Sequence, residues 1–171
     1  SQGYLTAAGN HLFVPTGRAV PGALNLNNGK LDYFNLQKLR SLGGSGVLAT
    51  DNYLFITSGN SRDSREIIGT RNAICSNESG ERLTSEEINS MVLVVSPDYV
   101  FFVDSKDNEL KAVKYSKLLV EKEEINRKGN SIKQKYLNTP SWTIKTYQPE
   151  SISLIGAGNK IISGSVNNKV S

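Results

Sequence analysis

The sequence contains a single cysteine, Cys75, and a single histidine, His11. One cysteine excludes an internal disulfide and any zinc site with several thiolate ligands. One histidine excludes the His-pair metal motifs and leaves few ways to assemble a histidine-based catalytic triad. No apolar run approaches the roughly 18 residues that a membrane-spanning helix needs. The longest runs, such as residues 91–95, have the length of a strand.

The excess of one charge sign is also small, because the chain has 20 basic and 16 acidic residues and therefore a net charge of +4. So small an excess does not by itself indicate nucleic-acid binding. Hydrophobic residues make up 37% of the chain and charged residues 21%, which excludes the collagen-like and the strongly charged disordered classes. The 171 residues predict about one domain.

One pattern occurs four times along the chain, at residues 5–14, 47–56, 93–102 and 153–162. Each copy is a short apolar run, a turn of Gly, Asn, Asp or Pro, and a second run rich in β-branched or aromatic residues. This pattern is typical of a β-hairpin. The equivalent positions Leu12, Leu54, Val100 and Ile161 lie 42, 46 and 61 residues apart, and a spacing of about 40 to 50 is that of four-stranded propeller blades.

A second hairpin follows three of these copies. Residues 23–33 alternate apolar and polar around Asn28-Gly29, with Leu24 and Leu26 predicted on one face, and residues 106–113 do the same around Asp107-Asn108. Residues 166–170 begin a third. The hairpins predict an all-β fold, with Leu12, Phe13, Leu54, Phe55, Val100, Phe101, Ile161 and Ile162 in the second strands.

Two stretches interrupt the repeat. Residues 60–91 are polar, and their end, residues 83–89, predicts a short helix capped by Thr84 or Ser85. Residues 115–141 are rich in Lys and Glu and predict either a helix or a long solvated loop. Their charges alternate in sign, which favours a solvated face over a nucleic-acid groove.

Residues 15–18 and 21–33 carry a recognisable motif, with Ala23-Leu24-Asn25 followed by Asn28-Gly29-Lys30 and the aromatic Tyr33. In this motif the chain resembles the pyrroloquinoline-quinone-like (quinoprotein-type) repeat family of β-propellers. Repeats of that family read Ala-Leu-Asp, then Thr-Gly-Lys, then an aromatic residue. Here Asn replaces both Asp and Thr, and Tyr replaces the usual Trp. Residues 155–164 are similar to the inner hairpin of another blade.

The resemblance implies a partial β-propeller of about three to four blades, built from antiparallel four-stranded repeats in a single domain, 1–171. Residues 3–59 would form a first blade region, 60–91 a polar insertion, 92–118 a hairpin blade region, 119–141 a charged insertion and 142–171 a truncated last blade. Propellers of this family have seven or eight blades, so we expect a fragment of a longer polypeptide whose open sheet edges cause self-association. The family also implies a bacterial, extracytoplasmic location.

Quinoproteins of this family hold their quinone against a Trp and a vicinal Cys-Cys disulfide, with calcium held by oxygen ligands. The chain has Trp142 and Cys75 but no Cys-Cys pair, so we expect no quinone and no metal in these residues. Residues 104–109 fail the calcium-loop pattern because Lys106 and Glu109 occupy the positions of an oxygen ligand and a glycine, which favours a polar hairpin turn. Residues 43–46 lack the Lys and the helix of a phosphate loop and predict a turn between blades.

Three single residues complete the candidates. His11 is predicted to be a surface turn residue, and Cys75 an ordinary thiol because no base accompanies it. Asn77-Glu78-Ser79 matches a glycosylation sequon, a triplet that is frequent by chance.

We therefore expect a non-catalytic binding or scaffold module, with a protein or small-molecule partner on a propeller face and the remaining blades of the same polypeptide beside it. The alternative is part of a quinoprotein-type oxidoreductase whose active-site residues lie outside these 171 residues and whose cofactor is pyrroloquinoline quinone. No catalytic residue and no nucleic-acid partner are predicted for the chain.

Overall fold

The computed structural model describes residues 4–16, 20–34, 46–57, 71–84, 88–104, 107–146, 153–157 and 160–164. The chain divides into two compact units, Ser1–Ile88 and Asn89–Ser171. Both consist of antiparallel strands, and the described residues contain one short 3-10 turn, Tyr115–Lys117, and no α-helix. This confirms the predicted all-β class. Within these ranges no helix is long and apolar enough to cross a bilayer.

The first unit begins with a four-stranded sheet in which each strand pairs with the next one along the chain. Its strands are β1 (Thr6–Ala8), β2 (His11–Val14), β3 (Gly22–Asn25) and β4 (Leu31–Tyr33). Phe13 lies opposite Thr6 on one side and Ala23 on the other. Residues directly opposite each other in a sheet share a face. Phe13 and Ala23 therefore point together into the interior, where both are fully buried.

Three more strands of the first unit also pair in chain order, namely β5 (Gly46–Ala49), β6 (Tyr53–Thr57) and β7 (Arg71–Ser76). A single core joins them to the first sheet, made of Phe13, Val20, Ala23, Val47, Leu54, Ile56, Ala73 and Cys75. A hydrogen bond also joins β1 to β5, since the Thr6 hydroxyl donates to the carbonyl of Val47 at 2.9 Å. Burial of this apolar surface is the main stabilising contribution to the unit.

The second unit contains β8 (Ile88–Val95), which starts at the boundary, β9 (Tyr99–Asp104), β10 (Glu109–Lys114), β11 (Leu119–Ile125), β12 (Ser131–Leu137), β13 (Trp142–Lys145), β14 (Ser153–Ala157) and β15 (Lys160–Gly164). Four of them lie side by side in the order β13-β10-β9-β8. Their core consists of Phe101, Val103, Leu110 and Ala112, and Leu154 and Ile161 of the β14-β15 hairpin pack against it.

The hairpin predictions are confirmed for all four copies of the pattern. The copies form the hairpins β1-β2, β5-β6, β8-β9 and β14-β15. Their second strands contain the expected residues Leu12, Phe13, Leu54, Phe55, Val100, Phe101, Ile161 and Ile162. Of the second hairpins, β3-β4 and β9-β10 form as expected, and residues 166–170 lie outside the described residues. Leu26 differs from the prediction, because it lies in the turn after β3 and is 51% exposed.

The two interruptions differ from what their sequences predict. The charged stretch is neither helix nor loop but the β11-β12 hairpin, in which Glu121 pairs with Lys135 and Glu123 with Lys133. Opposite charges across a strand pair stabilise such a ribbon, and its charge pattern imitates that of a helix face. Most of its side chains are exposed, as expected for a solvated face.

The polar stretch 60–91 contains the paired strand β7, whose residues Ala73, Ile74 and Cys75 are fully buried. The helix predicted for residues 83–89 is wrong at residues 83, 84, 88 and 89, and residues 85–87 lie outside the described residues. The amide of Leu83 donates to the carbonyl of Ile74 at 2.8 Å, and Ile88 already begins β8. Pairing with a neighbouring strand satisfies the backbone here, and this overrides the local capping pattern.

Candidate functional site

A polar cluster in the first unit brings together His11, Asn25, Asp32, Tyr33 and Asn77, and it is called here the His11 cluster. His11 is the first residue of β2, Asn25 ends β3, Asp32 and Tyr33 lie in β4, and Asn77 follows β7. Strand pairing places the first four side by side on one sheet, since His11 lies directly opposite Asn25. Asn77 reaches them from β5-β6-β7.

One type of turn positions Asn25 and Asn77, at residues 25–30 and 76–81, and among the described residues Asp104 and Asn108 show the same hydrogen bond and a similar backbone angle. In both turns, an amide donates four residues back to the carbonyl that begins the turn: Gly29 to Asn25 at 2.8 Å and Gly80 to Ser76 at 2.9 Å. Asn108 donates to Asp104 at 3.0 Å. The donor has a positive φ each time, 68° at Gly29, 66° at Gly80 and 54° at Asn108.

Asn77 is buried and forms hydrogen bonds both to the first sheet, β1-β2-β3-β4, and to the segment that contains β5 and β6. Its side-chain amide donates to the carbonyl of Thr50 at 2.6 Å, and its side-chain oxygen lies 2.8 Å from Nδ1 of His11. Its backbone carbonyl accepts from the Tyr33 hydroxyl at 2.9 Å. The backbone amide of Asn77 donates to the carbonyl of Asn52 at 3.1 Å, in the same way that Leu26 donates to Asn10 at 2.9 Å. Asn77 thus holds the first sheet to β5-β6-β7.

His11 is bonded through both ring nitrogens. Nδ1 faces Asn77, and Nε2 lies 3.0 Å from Oδ2 of Asp32. The same carboxylate oxygen accepts from the amide of Asn25 at 3.2 Å. The predicted surface turn position is therefore wrong, since His11 is a strand residue whose side chain is 14% exposed. A histidine that acts as a general base needs one nitrogen directed at substrate, and both nitrogens of His11 are engaged within the protein.

Tyr33 closes the cluster on its inner side. Its ring packs against the backbone of Gly80, so closely that a Cβ atom on Gly80 would lie 2.5 Å from Cε2. Burial raises the pKa of the Tyr33 hydroxyl well above its usual value, and the proximity of Cys75 and Asp32 raises it further. The hydroxyl is thus held in its neutral form, in which it can donate to Asn77.

Cys75 lies in the core behind Tyr33. It is fully buried in β7, and burial raises the pKa of its thiol to about 12, although the charge of Arg82 opposes the shift. The thiolate is the nucleophilic form of cysteine. A thiol protonated at neutral pH and closed off from solvent serves here as a small apolar core residue.

The loop at residues 104–109, considered above as a calcium loop, is occupied by a lysine. The ammonium of Lys111 lies 2.8 Å from Asp104 and 2.7 Å from Asp107. Partial burial lowers the pKa of Lys111, but the hydrogen bonds to both carboxylates outweigh it and raise the pKa. The two carboxylates thus neutralise a side chain of their own hairpin, which is the polar β9-β10 turn that the sequence favours. Among the described residues no three His, Cys, Asp or Glu side chains are grouped so as to hold a metal ion.

The other candidates are placed as follows. Asn77 of the sequon is 3% exposed and its amide is bonded, so the folded protein offers no glycan acceptor there. Trp142 lies in β13 with its ring 5.8 Å from that of Phe101. Gly46 begins β5, and residues 43–45 lie outside the described residues.

An apolar groove lies on the sheet β2-β3-β4 of the first unit. It is shallow and open, has a volume of about 260 Å³ and is lined by Val14, Thr16, Gly22, Leu24, Leu31 and Phe34. Leu31 is 58% exposed and Phe34 45% exposed. Gly22 forms the floor, where an added Cβ would lie 3.5 Å from the Phe34 ring and 3.8 Å from Leu31.

The sequence reasoning missed the partnership between Tyr33 and the turn at residues 76–81. A signal existed, because Gly80 follows Ser76 at the same distance at which Gly29 follows Asn25. The surrounding polar residues concealed this second copy of the turn. The bonds from Asn77 to His11 and Tyr33 span 66 and 44 residues, and no local pattern encodes them.

No family model matches the chain, and no curated protein matches it. Among solved structures, the fold is similar to the crystal structures of two computationally designed proteins. Ika8 aligns with a TM-score of 0.58 and 12% identity over 97% of this chain and 43% of its own length. Ika4 aligns with a TM-score of 0.54 and 13% identity over 100% of this chain and 91% of its own. The chain thus spans less than half the length of Ika8, and at these identities the likeness concerns the fold alone.

Proposed function

We propose that the chain is a non-catalytic binding or scaffold module of the β-propeller type, built from pyrroloquinoline-quinone-like repeats. The observation that carries the proposal is the recurrence of one turn at residues 25–30 and 76–81, with the same hydrogen bond and a positive φ again between Asp104 and Asn108. A recurring unit of this kind supports a repeat architecture, in which each copy contributes the same structural element to the fold.

The polar side chains of these repeats support a structural role. His11, Asp32 and Asn77 bond to one another or to backbone and so join strands, while Asp104 and Asp107 neutralise Lys111 within one hairpin. Cys75 is buried with a protonated thiol. These described groups, on which covalent or acid-base chemistry could depend, thus serve to hold the fold together.

The apolar groove supports the binding part of the proposal. Apolar side chains that are exposed together, unlike single ones, mark an interaction site, and Leu31 and Phe34 are both exposed in this groove. Pockets that hold small molecules are concave, enclose most of the ligand and have volumes of roughly 300–1,000 Å³. An open groove of about 260 Å³ suits instead one or two apolar side chains presented by a protein partner. We therefore assign a protein as the occupant.

The binding part is tested with peptides selected on the chain from a displayed library. We expect selected peptides to carry an aromatic or aliphatic anchor, and Gly22→Val or Leu31→Ser to weaken their binding at least tenfold. Gly22→Val fills the groove floor with a residue that suits a strand. Ile125→Ser, at a 79% exposed position at the tip of β11-β12, is the matched control and should leave binding unchanged. Binding that survives Gly22→Val but not Ile125→Ser would refute the assignment.

The repeat part is tested by exchanging turns. Replacing residues 104–109 by the sequence of residues 25–30 should preserve the circular dichroism spectrum and cooperative unfolding, whereas one alanine inserted into the same turn should not. A titration of the chain with pyrroloquinoline quinone and calcium, followed by absorbance, tests the quinoprotein alternative. We expect no stoichiometric complex. Formation of such a complex would favour the quinoprotein alternative.

A further inference from the structure

Equivalent residues of the four repeated hairpins differ in burial between the first hairpin and the last. In each second strand two successive residues face opposite sides of the hairpin. On one side these residues are Leu12, Leu54, Val100 and Ile161, and on the other side they are Phe13, Phe55, Phe101 and Ile162. Five of the eight are buried, and Ile161 packs against the core of the second unit. Leu12 is only half-buried, and Ile162 is 39% exposed.

The packing between the first two hairpins shows what covers the position of Leu12 in another copy. Leu54 is the residue equivalent to Leu12, and Cys75 lies directly opposite it on β7. Both belong to the same core as Phe13 of the first sheet. The side of β5-β6-β7 that carries Leu54 therefore receives the Phe13 side of the preceding sheet. By equivalence, the Leu12 side of the first sheet is built to receive a sheet as well.

The apolar groove lies on this same side of the first sheet. Leu12 lies opposite Leu24, and Leu24 lies opposite Leu31, so the three leucines form a row across β2, β3 and β4. Leu24 and Leu31 line the groove. The other side of the sheet carries Phe13 and faces the core. A sheet with one solvated side alternates apolar and polar residues, whereas this sheet is apolar on both sides, as expected when both are covered.

The last hairpin carries a surface of the kind that this groove accepts. Leu154 and Ile161 on one side of β14-β15 pack against the core of the second unit. On the other side Ile155 and Ile162 lie directly opposite each other and are 61% and 39% exposed. Ile162 is the residue equivalent to Phe13, which packs in the core with Leu54. Terminal repeats that face solvent have a polar outer side, so an exposed pair of isoleucines indicates a partner.

We propose that the apolar groove of one copy of this chain binds the Ile155–Ile162 pair of a second copy. The inference rests on the proposed function, because it names the protein partner of the groove assigned there. The contact continues the packing already present between the first sheet and β5-β6-β7, with Ile162 in the place of Phe13 and Leu12 in the place of Leu54. Two adjacent side chains suit an open groove of about 260 Å³. Because two different surfaces meet, the contact is head-to-tail.

Light scattering at increasing protein concentration tests the self-association. We expect a mass at least twice the 18.7 kDa of one copy. Ile155→Glu and Leu31→Lys each place a charge in the contact and should raise the dissociation constant roughly tenfold or more. Both positions are exposed, so the circular dichroism spectra should be unchanged. Ile125→Glu, the same substitution at a 79% exposed position of β11, is the matched control and should associate like the unmodified chain.

Mixing the two variants distinguishes a head-to-tail contact from one between identical surfaces. The Ile155→Glu chain keeps its groove and the Leu31→Lys chain keeps its isoleucine pair, so the mixture should contain a one-to-one complex that neither variant forms alone. A monomeric unmodified chain, association that Ile155→Glu leaves unchanged, or a mixture without the complex would each overturn the proposal. Selected peptides that bind the groove of a monomeric chain would show that the binding site is right and the second copy wrong.

Discussion

Replacing Gly80 by alanine should destabilise the first unit far more than the same change at Gly29. Both glycines occupy the same position of the same turn and have nearly equal φ angles, 66° and 68°. A Cβ at Gly29 meets nothing within 4 Å. A Cβ at Gly80 would lie 2.5, 3.0 and 3.1 Å from three ring atoms of Tyr33. Comparing the two substitutions therefore separates the cost of backbone strain, which both share, from the cost of the steric conflict with Tyr33, which applies only at Gly80.

The magnitudes add up as follows. A non-glycine residue in the left-handed region costs about 1 kcal/mol, and this cost applies at both positions. At Gly80 the Tyr33 ring must also move, which adds an overpacking cost of about 1–3 kcal/mol. Its hydroxyl then loses the hydrogen bond to Asn77, a further cost of about 1 kcal/mol. We expect a loss of about 3–5 kcal/mol for Gly80→Ala and about 1 kcal/mol for Gly29→Ala.

Urea unfolding followed by circular dichroism measures both changes through the midpoint at constant slope. Tyr33→Leu serves as a second background, because a shorter side chain leaves room for the added methyl group. Gly80→Ala should cost roughly the Gly29→Ala value in that background. Equal losses at the two glycines in the unmodified chain would refute the reasoning, since they would show that Tyr33 does not constrain Gly80.

Three further predictions concern single side chains. Asn77→Ala should lower the free energy of unfolding by about 2–4 kcal/mol because it removes the side-chain hydrogen bonds to Thr50 and His11; urea unfolding measures the loss, and an unchanged midpoint would contradict this role of Asn77. Cys75 should resist iodoacetamide at pH 8 until the protein unfolds. Because its folded pKa of about 12 lies above that of an unfolded thiol, stability should be constant below about pH 8.5 and fall toward pH 12; rapid native alkylation would contradict this. Lys111→Met should cost about 1–2 kcal/mol, since it removes the ammonium that lies 2.8 Å from the partly buried carboxylate of Asp104, whereas Lys133→Met, at an exposed ion pair with Glu121, should cost less than about 0.5 kcal/mol by thermal melting; equal losses would contradict the difference in burial.

The fold class and the positions of the hairpins could be predicted from the sequence. Alternation of apolar and polar residues has the period of a strand, and the turn residues between two such runs specify a reversal, so β1-β2, β5-β6, β8-β9 and β14-β15 are encoded locally. The same reasoning failed for the charged stretch, since alternating charges suit a helix face and a cross-strand ladder equally well.

The candidate site was decided by tertiary structure. His11 and Asp32 are 21 residues apart and His11 and Asn77 are 66 apart, and strand pairing and packing of the core bring them together. Sequence alone determined that the chain has one histidine, one cysteine and a repeated hairpin, and therefore which chemistries its residues exclude. Only the folded chain decided that His11 lies between two hydrogen-bonding partners and that Cys75 is too deeply buried to react. Hydrogen-bond partners and burial depend on residues that are distant in sequence.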